Sequence, residues 1–536
     1  MQHAYPYLLA LPLLMLMACG PERPAEDMAG ADQPADSLTA RYDEAYRPSF
    51  HFSPPSHWMN DPNGMVYHDG EYHLFYQHYP DSTVWGPMHW GHAVSEDLVH
   101  WEHLPIALYP DSLGYIFSGS AVVDKGNTSG LGSDGRDPLV AIYTYHDAEA
   151  ESAGRDDHQT QAIAYSNDNG RTWTKYEGNP VIPNEEPIRD FRDPKVRWDE
   201  QRERWVMALA AQDRIMFWGS ENLIDWTYLS DFGRQLGGHG GVWECPDLFP
   251  LTVEGTDEEK YVLLVSINPG GPNGGSATQY FVGDFDGTTF TPDPSFLPDV
   301  RNGQGVWIDY GRDNYAGVTF ANIPAEDGRR IFIGWMSNWL YGQQVPTESW
   351  RSAMTVPRTL SLHQLPAGYR LFSEPVAELE KLRGTAGEVG PEQLTASTAT
   401  GTQEIEVAFL TDQSTSEACG ILLENERGES YRIGYDPATQ EFFSDRQNSG
   451  DHSFSNKFAN PAARAPRPAT SDTVRLHLLV DVASVELFAD GGATVMTEIF
   501  FPSEPFNRIS VFHGANTEVL SGSTYPLANI WEEVKW

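Results

Sequence analysis

Gly70-Glu71-Tyr72-His73-Leu74-Phe75-Tyr76 is an aromatic-rich strand that recurs four more times, at Pro138 to Tyr145, Arg204 to Ala211, Lys260 to Asn268 and Arg330 to Met336. With Leu74, Ala141, Met207, Leu264 and Phe332 as centres, the spacings are 67, 66, 57 and 68 residues. A second element follows the earlier copies, a Ser or Gly turn with an acid and an aromatic. It reads Ser95-Glu96-Asp97 with Trp101, Ser166-Asn167-Asp168 with Trp173, Ser220 with Asp225-Trp226, and Gly283-Asp284 with Phe290. Repeats of this length, each holding several strands, indicate a β-propeller. Five copies over 46–372 predict five blades.

Outside the repeats the pattern changes. Glu374 to Leu382 is the one convincing helical stretch and is expected to link two domains across 373–384. Alternating strands then return at Glu404 to Leu410, Val474 to Val480, Ser484 to Phe488, Val495 to Phe500 and Ile509 to Val511. Residues 385–536 are therefore expected to form one β-sandwich with no acid cluster of its own, in a structural or sugar-contacting role. The fold class is all-β, a five-bladed β-propeller followed by a C-terminal β-sandwich.

The chain has 536 residues and a formal charge of −41, from 35 Lys+Arg against 76 Asp+Glu. Forty per cent hydrophobic residues exclude a disordered chain. The charge excludes nucleic acid as a partner and disfavours anionic lipid surfaces. Only seven basic residues are lysines. That fits either solubility in high salt, where screening removes self-repulsion, or a coding bias towards Arg.

Tyr7 to Ala18 is apolar but too short to span a bilayer, and reads as a signal-peptide core. Leu16-Met17-Ala18-Cys19-Gly20 resembles a bacterial lipoprotein cleavage box, although Met1-Gln2-His3 lacks the usual positive charge. The expected order is a signal peptide over 1–18, lipidated Cys19, and a Pro-, Ala- and acid-rich tether over 19–45. Membrane contact would be through that anchor alone. Cys245 and Cys419 fall in different predicted domains, so no disulfide framework is expected.

Three acids hold equivalent places in the repeats. Asp61, in Trp58-Met59-Asn60-Asp61-Pro62-Asn63-Gly64, stands thirteen residues before Leu74. Asp193, in Phe191-Arg192-Asp193-Pro194, stands fourteen before Met207. Glu244, in Trp243-Glu244-Cys245-Pro246-Asp247, stands twenty before Leu264. Taken singly, each segment also reads as a turn. In a propeller the innermost strands line the axis, so the three would converge there. Carboxylates held together, with Trp58, Trp85, Trp243 and Trp335 nearby, suit cleavage of a glycosidic bond.

These three segments resemble the signature blocks of glycoside hydrolase family 32, which contains invertases, inulinases and levanases. Tyr72 to Gln77, Trp85 to His92, Phe117 to Ser120 and Trp350 to Arg358 are similar as well. The resemblance implies that Asp61 attacks C2 of a β-linked fructofuranosyl unit while Glu244 serves as acid and then base. It implies that Asp193, assisted by Arg192, stabilises the transition state, and that neither metal nor cofactor is needed. Asn60, Gln77, Trp85, Phe117, Ser118, Arg192 and Trp335 would bind substrate, Phe117 standing where relatives often have Trp. Cys245 is either a neighbour that tunes Glu244, in which case Cys245→Ala would move the alkaline limb of the pH profile, or plain core. The implied activity is exo-acting release of fructose from levan, inulin or sucrose by a chain exported to the cell envelope. Alternatives are an endo-levanase or endo-inulinase, transfructosylation, and a non-catalytic fructan-binding lipoprotein.

Overall fold

The structure, a computed structural model, describes residues 42–388, 401–412, 417–459 and 461–531. Cys19 and the predicted leader lie outside the described residues. The five recurring segments are the second strands of five antiparallel sheets. Each is preceded by an innermost strand: His57–His68, Tyr115–Val123, Phe191–Asp199, Val242–Thr252 and Tyr315–Thr319 in blades 1 to 5. These inner strands neighbour one another in sequence, and the fifth returns to the first, closing a ring. Trp350–Arg351 also pairs in parallel with His57 and Trp58, tying blade 5 to blade 1.

Second strands are apolar on both faces because each is packed between blades. Leu74, Ala141, Met207, Leu264 and Phe332 are all fully buried. Phe75, Trp90 and Tyr143 join blades 1 and 2, and Ile142, Trp205 and Met207 join blades 2 and 3. Trp243, Phe281 and Phe332 continue the ring, and Trp58, Tyr315 and Ile333 complete it. The recurring turn is also structural. Ser166 and Asp168 hold the backbone of Gly170 and Thr172, and Trp173 donates to the Gly170 carbonyl.

The predicted helix is a 3-10 turn, Ala377–Leu382, that buries Leu379 and Leu382. One α-helix was missed: Ala148–Ser152, capped by Asp147, is too short to show a helical period. A six-stranded and a five-stranded sheet then form the sandwich.

The expectation that the sandwich carries no acid cluster is corrected. Its acids gather at the seam with the propeller. Arg358 is fully buried and bonds Asp309 at 2.9 Å and Glu486 at 3.0 Å. Arg446 binds Asp313 at 2.6 Å and Glu498 at 3.0 Å. His51 bridges Asp481 at 2.7 Å and Glu486 at 2.8 Å. On the outer side, Arg383 donates to Glu404 and Glu406, beside His477. These acids are scattered singly along the chain, so no sequence cluster announces them.

Candidate active site

All five inner strands bulge at the same level. In each, two residues oppose one on the neighbouring second strand. Asn60-Asp61 face Gln77, Phe117-Ser118 face Thr144, and Asp193-Pro194 face Leu209. Cys245-Pro246 face Val265, and Ala316-Gly317 face Gly334. A bulge breaks the ladder and re-aims side chains. Proline, having no N–H to contribute, is tolerated at such a break. That explains why Pro62, Pro194 and Pro246 accompany the functional residues. Asp193 and Cys245 take left-handed backbone, with φ of 65° and 45°.

The bulges deliver their side chains to one axial pit of about 290 Å³, lined by Asp61, Asp193 and Glu244 together with Asn60, Gln77, Trp85, Phe117, Ser118 and Arg192. Asp61 accepts from Ser118 Oγ at 2.7 Å and Asn60 Nδ2 at 3.0 Å. Asp193 accepts from the Cys245 backbone N–H at 3.0 Å. Glu244 accepts from Arg192 at 3.0 and 3.1 Å, and from the Tyr315 hydroxyl. Arg192 thus grips Glu244 and Asp190, and its charge also acts on Asp193.

Trp335 is not in the pit. It is fully buried against Trp58, Trp339 and Tyr315, and Trp58 and Trp243 are fully buried too. Tryptophan on an inner or second strand fills the wedges between blades. The indole at the mouth beside Trp85 is instead Trp339. His146, Glu151, Gln159, Asp190 and Gln343 complete the lining, all of them missed from the sequence. Tyr315 was missed as well, though its place seventeen residues before Phe332, matching that of the acids in other repeats, was a usable signal.

Burial raises Asp61 to about 6, the Glu244 charge adding to it and the Ser118 and Asn60 bonds opposing. Asp193 is also raised, by burial first, with Arg192 pulling it down and Glu244 and Asp61 pushing it up. Cys245 is raised far enough to stay a thiol. Its Sγ lies 3.7 Å from Asp61 Oδ2 and 3.5 Å from Asp193 Oδ2, so it serves those two acids. Two carboxyls in unlike settings, one among neutral donors and one between a guanidinium and a phenol, can divide nucleophilic and acid–base work.

The N-terminal domain profile of glycosyl hydrolases family 32 matches residues 51–375, and the C-terminal profile of the same family matches 378–527. The chain belongs to glycosyl hydrolase family 32. It is 47% identical over 513 residues to a levanase of Bacillus subtilis, covering 94% of this chain and 73% of that one. An extracellular exo-inulinase of Aspergillus awamori is 40% identical over 519 residues, covering 91% and 96%. The crystal structure of the exo-inulinase from that species superposes with a TM-score of 0.83 at 38% identity, over 91% of this chain and all of that one. A β-fructofuranosidase from Schwanniomyces occidentalis, complexed with fructosyl-erythritol, gives 0.80 at 33% identity, over 92% and 99%.

Proposed function

We propose that this glycoside hydrolase is an exo-acting β-fructosidase that releases terminal fructose from levan or inulin, and from sucrose. The observation that carries the reading is the shared pit, in which Asp61 and Glu244 face one small space. At about 290 Å³ it lies at the low end of ligand pockets, which favours a chain end over a chain middle. Relatives named levanase and exo-inulinase support the substrate class.

In this reading an Asp61 oxygen attacks C2 of the fructosyl unit as Glu244 gives its proton to the departing oxygen. Water then enters, loses a proton to Glu244, and its oxygen displaces Asp61 from C2. Configuration is retained and no outside proton is consumed. Asp193 receives hydrogen bonds from the fructose hydroxyls, and Arg192 and Tyr315 hold Glu244 in line.

Export, with a lipid on Cys19, completes the proposal. Labelling with palmitate should mark the chain and fail in Cys19→Ala. For the activity, with the three substrates digested side by side, levan and inulin should give fructose as the first and dominant released sugar, and sucrose should give fructose and glucose in equal amounts. A ladder of oligomers would make the enzyme endo-acting, and intact polymer would make it a binding protein.

A further inference from the structure

The inner strands that carry the acids run on to a second cavity, of about 370 Å³, at their other end. Lys195 and Arg197 follow Asp193, Asp247 follows Glu244, and Thr319 follows Tyr315 on their respective strands. Four cations line this cavity, Lys125, Lys195, Arg197 and Arg330, against two acids, Glu200 and Asp247. In a chain where acids outnumber Lys and Arg by 76 to 35, this reverses the overall balance.

Among the described residues, neither local acid is ion-paired with Arg197 or Arg330, Asp247 being held by Lys195 and Thr319. Asp247 Oδ2 accepts from Thr319 N at 2.7 Å and Thr319 Oγ1 at 2.8 Å, and lies 3.3 Å from Lys195 Nζ. Arg197 Nη1 and Arg330 Nε are buried without a hydrogen-bond partner. Arg330 lies over the Phe249 ring at 4.9 Å and has a long 3.5 Å contact from Nη1 to the Phe320 carbonyl. Arg197 lies over the Tyr261 ring at 5.4 Å. Arg330 is lowered by burial, relieved by Asp247, and lowered again by the charge of Arg197. Two guanidiniums with like charge, each holding a buried N–H short of an acceptor, are costly to keep together. The planar fork of each is suited to a tetrahedral oxyanion.

We propose that this cavity binds a tetrahedral oxyanion, free or carried on a small molecule as a phosphate ester, between Arg197, Arg330 and the rim cation Lys125. The occupant would tie together the ends of the inner strands of blades 2 to 5, remote from the catalytic pit. Inorganic phosphate and, separately, fructose 6-phosphate are titrated into the full chain by calorimetry and by thermal unfolding, with sodium chloride adjusted to constant ionic strength. Saturable binding with a rising Tm is expected for at least one of them. Tighter binding of the ester would assign the carried form, and equal or weaker binding the free ion. Arg197→Gln with Arg330→Gln should unfold no earlier than the parent in phosphate-free buffer, since the like-charge contact is gone. It should bind at least about tenfold more weakly. Lys125→Gln, at the exposed rim, provides the same readout if the double variant does not fold. No saturable binding to the parent, or undiminished binding in the folded variants, would overturn the proposal.

Discussion

Asp61 is the residue whose surroundings bear most directly on rate. A nucleophile must be ionised, and burial has raised this carboxyl to about 6 from an ordinary 3.8. The kcat/KM of the free enzyme should therefore fall as pH drops through about 6. Cys245 donates towards the ionised forms of Asp61 and Asp193, so Cys245→Ala should move that acid limb to higher pH and leave the alkaline limb in place. A pH–rate profile of the variant checks this. Movement of the alkaline limb alone would favour the sequence alternative in which Cys245 tunes Glu244, and an unchanged profile the one in which it is plain core. Tyr315→Phe removes the hydroxyl that Glu244 accepts from, and should lower kcat by roughly tenfold to a hundredfold with little change in KM. A change confined to KM would contradict a positioning role. At this scale Asp61, Asp193 and Glu244 were legible because acid-and-proline segments recur in register. Gln159 was not, because its partner Arg192, 33 residues on, reaches it only in the folded pit.

The bulge is the element that turns a repeat into a site. Gly64, at a second break in the register of the strand that carries Asp61, shows how closely that strand is built. Its φ is +52°, and an added Cβ would meet Phe75 at 2.5 Å and Trp90 at 2.8 Å. Both rings belong to the wedge between blades 1 and 2, which cannot yield without disturbing the packing there. Gly64→Ala should cost about 2–4 kcal/mol in urea unfolding, from backbone strain and overpacking together. It should also lower turnover, since Asp61 lies three residues away on the same bulged strand. Unchanged stability would mean that the strand is less constrained than its contacts imply. The spacing of the second strands was plain in the sequence, because burial on both faces writes the same apolar pattern five times. The bulges themselves were hidden: Asp-Pro and Cys-Pro read equally well as turns. Trp335 misled for a related reason, since tryptophan serves both sugar contact and blade packing, and nothing local separates them.

Across the whole molecule, propeller and sandwich are joined by buried charge. His51 is the titrating member. Burial alone would lower it, but Asp481 and Glu486 outweigh burial and raise it to about 9 from 6.5. The stability it contributes is full below pH 6.5 and is lost as pH rises through 9, an amount on the order of 3 kcal/mol. The parent's Tm should decline across that window, and His51→Gln, though less stable overall, should show a flatter decline. Equal slopes would deny His51 this part. The seam was invisible in the sequence because Asp481, Glu486 and Glu498 sit on strands whose neighbours alternate in the ordinary way. Only the packed interface, with Arg358 and Arg446 inserted, reveals why acids stand there.

The central claim is that Asp61 takes the fructosyl group within a pit it shares with Glu244. Asp61→Asn and Glu244→Gln should each keep the fold and lose several orders of magnitude in turnover. More directly, Glu244→Gln can be treated with β-D-fructofuranosyl fluoride, whose leaving group needs no proton donor, then quenched in acid and digested for mass spectrometry. Without a base to activate water, the intermediate should persist, and one fructosyl unit should be found on Asp61. A fructosyl unit on another residue, or consumption of the fluoride with no adduct, would contradict the account.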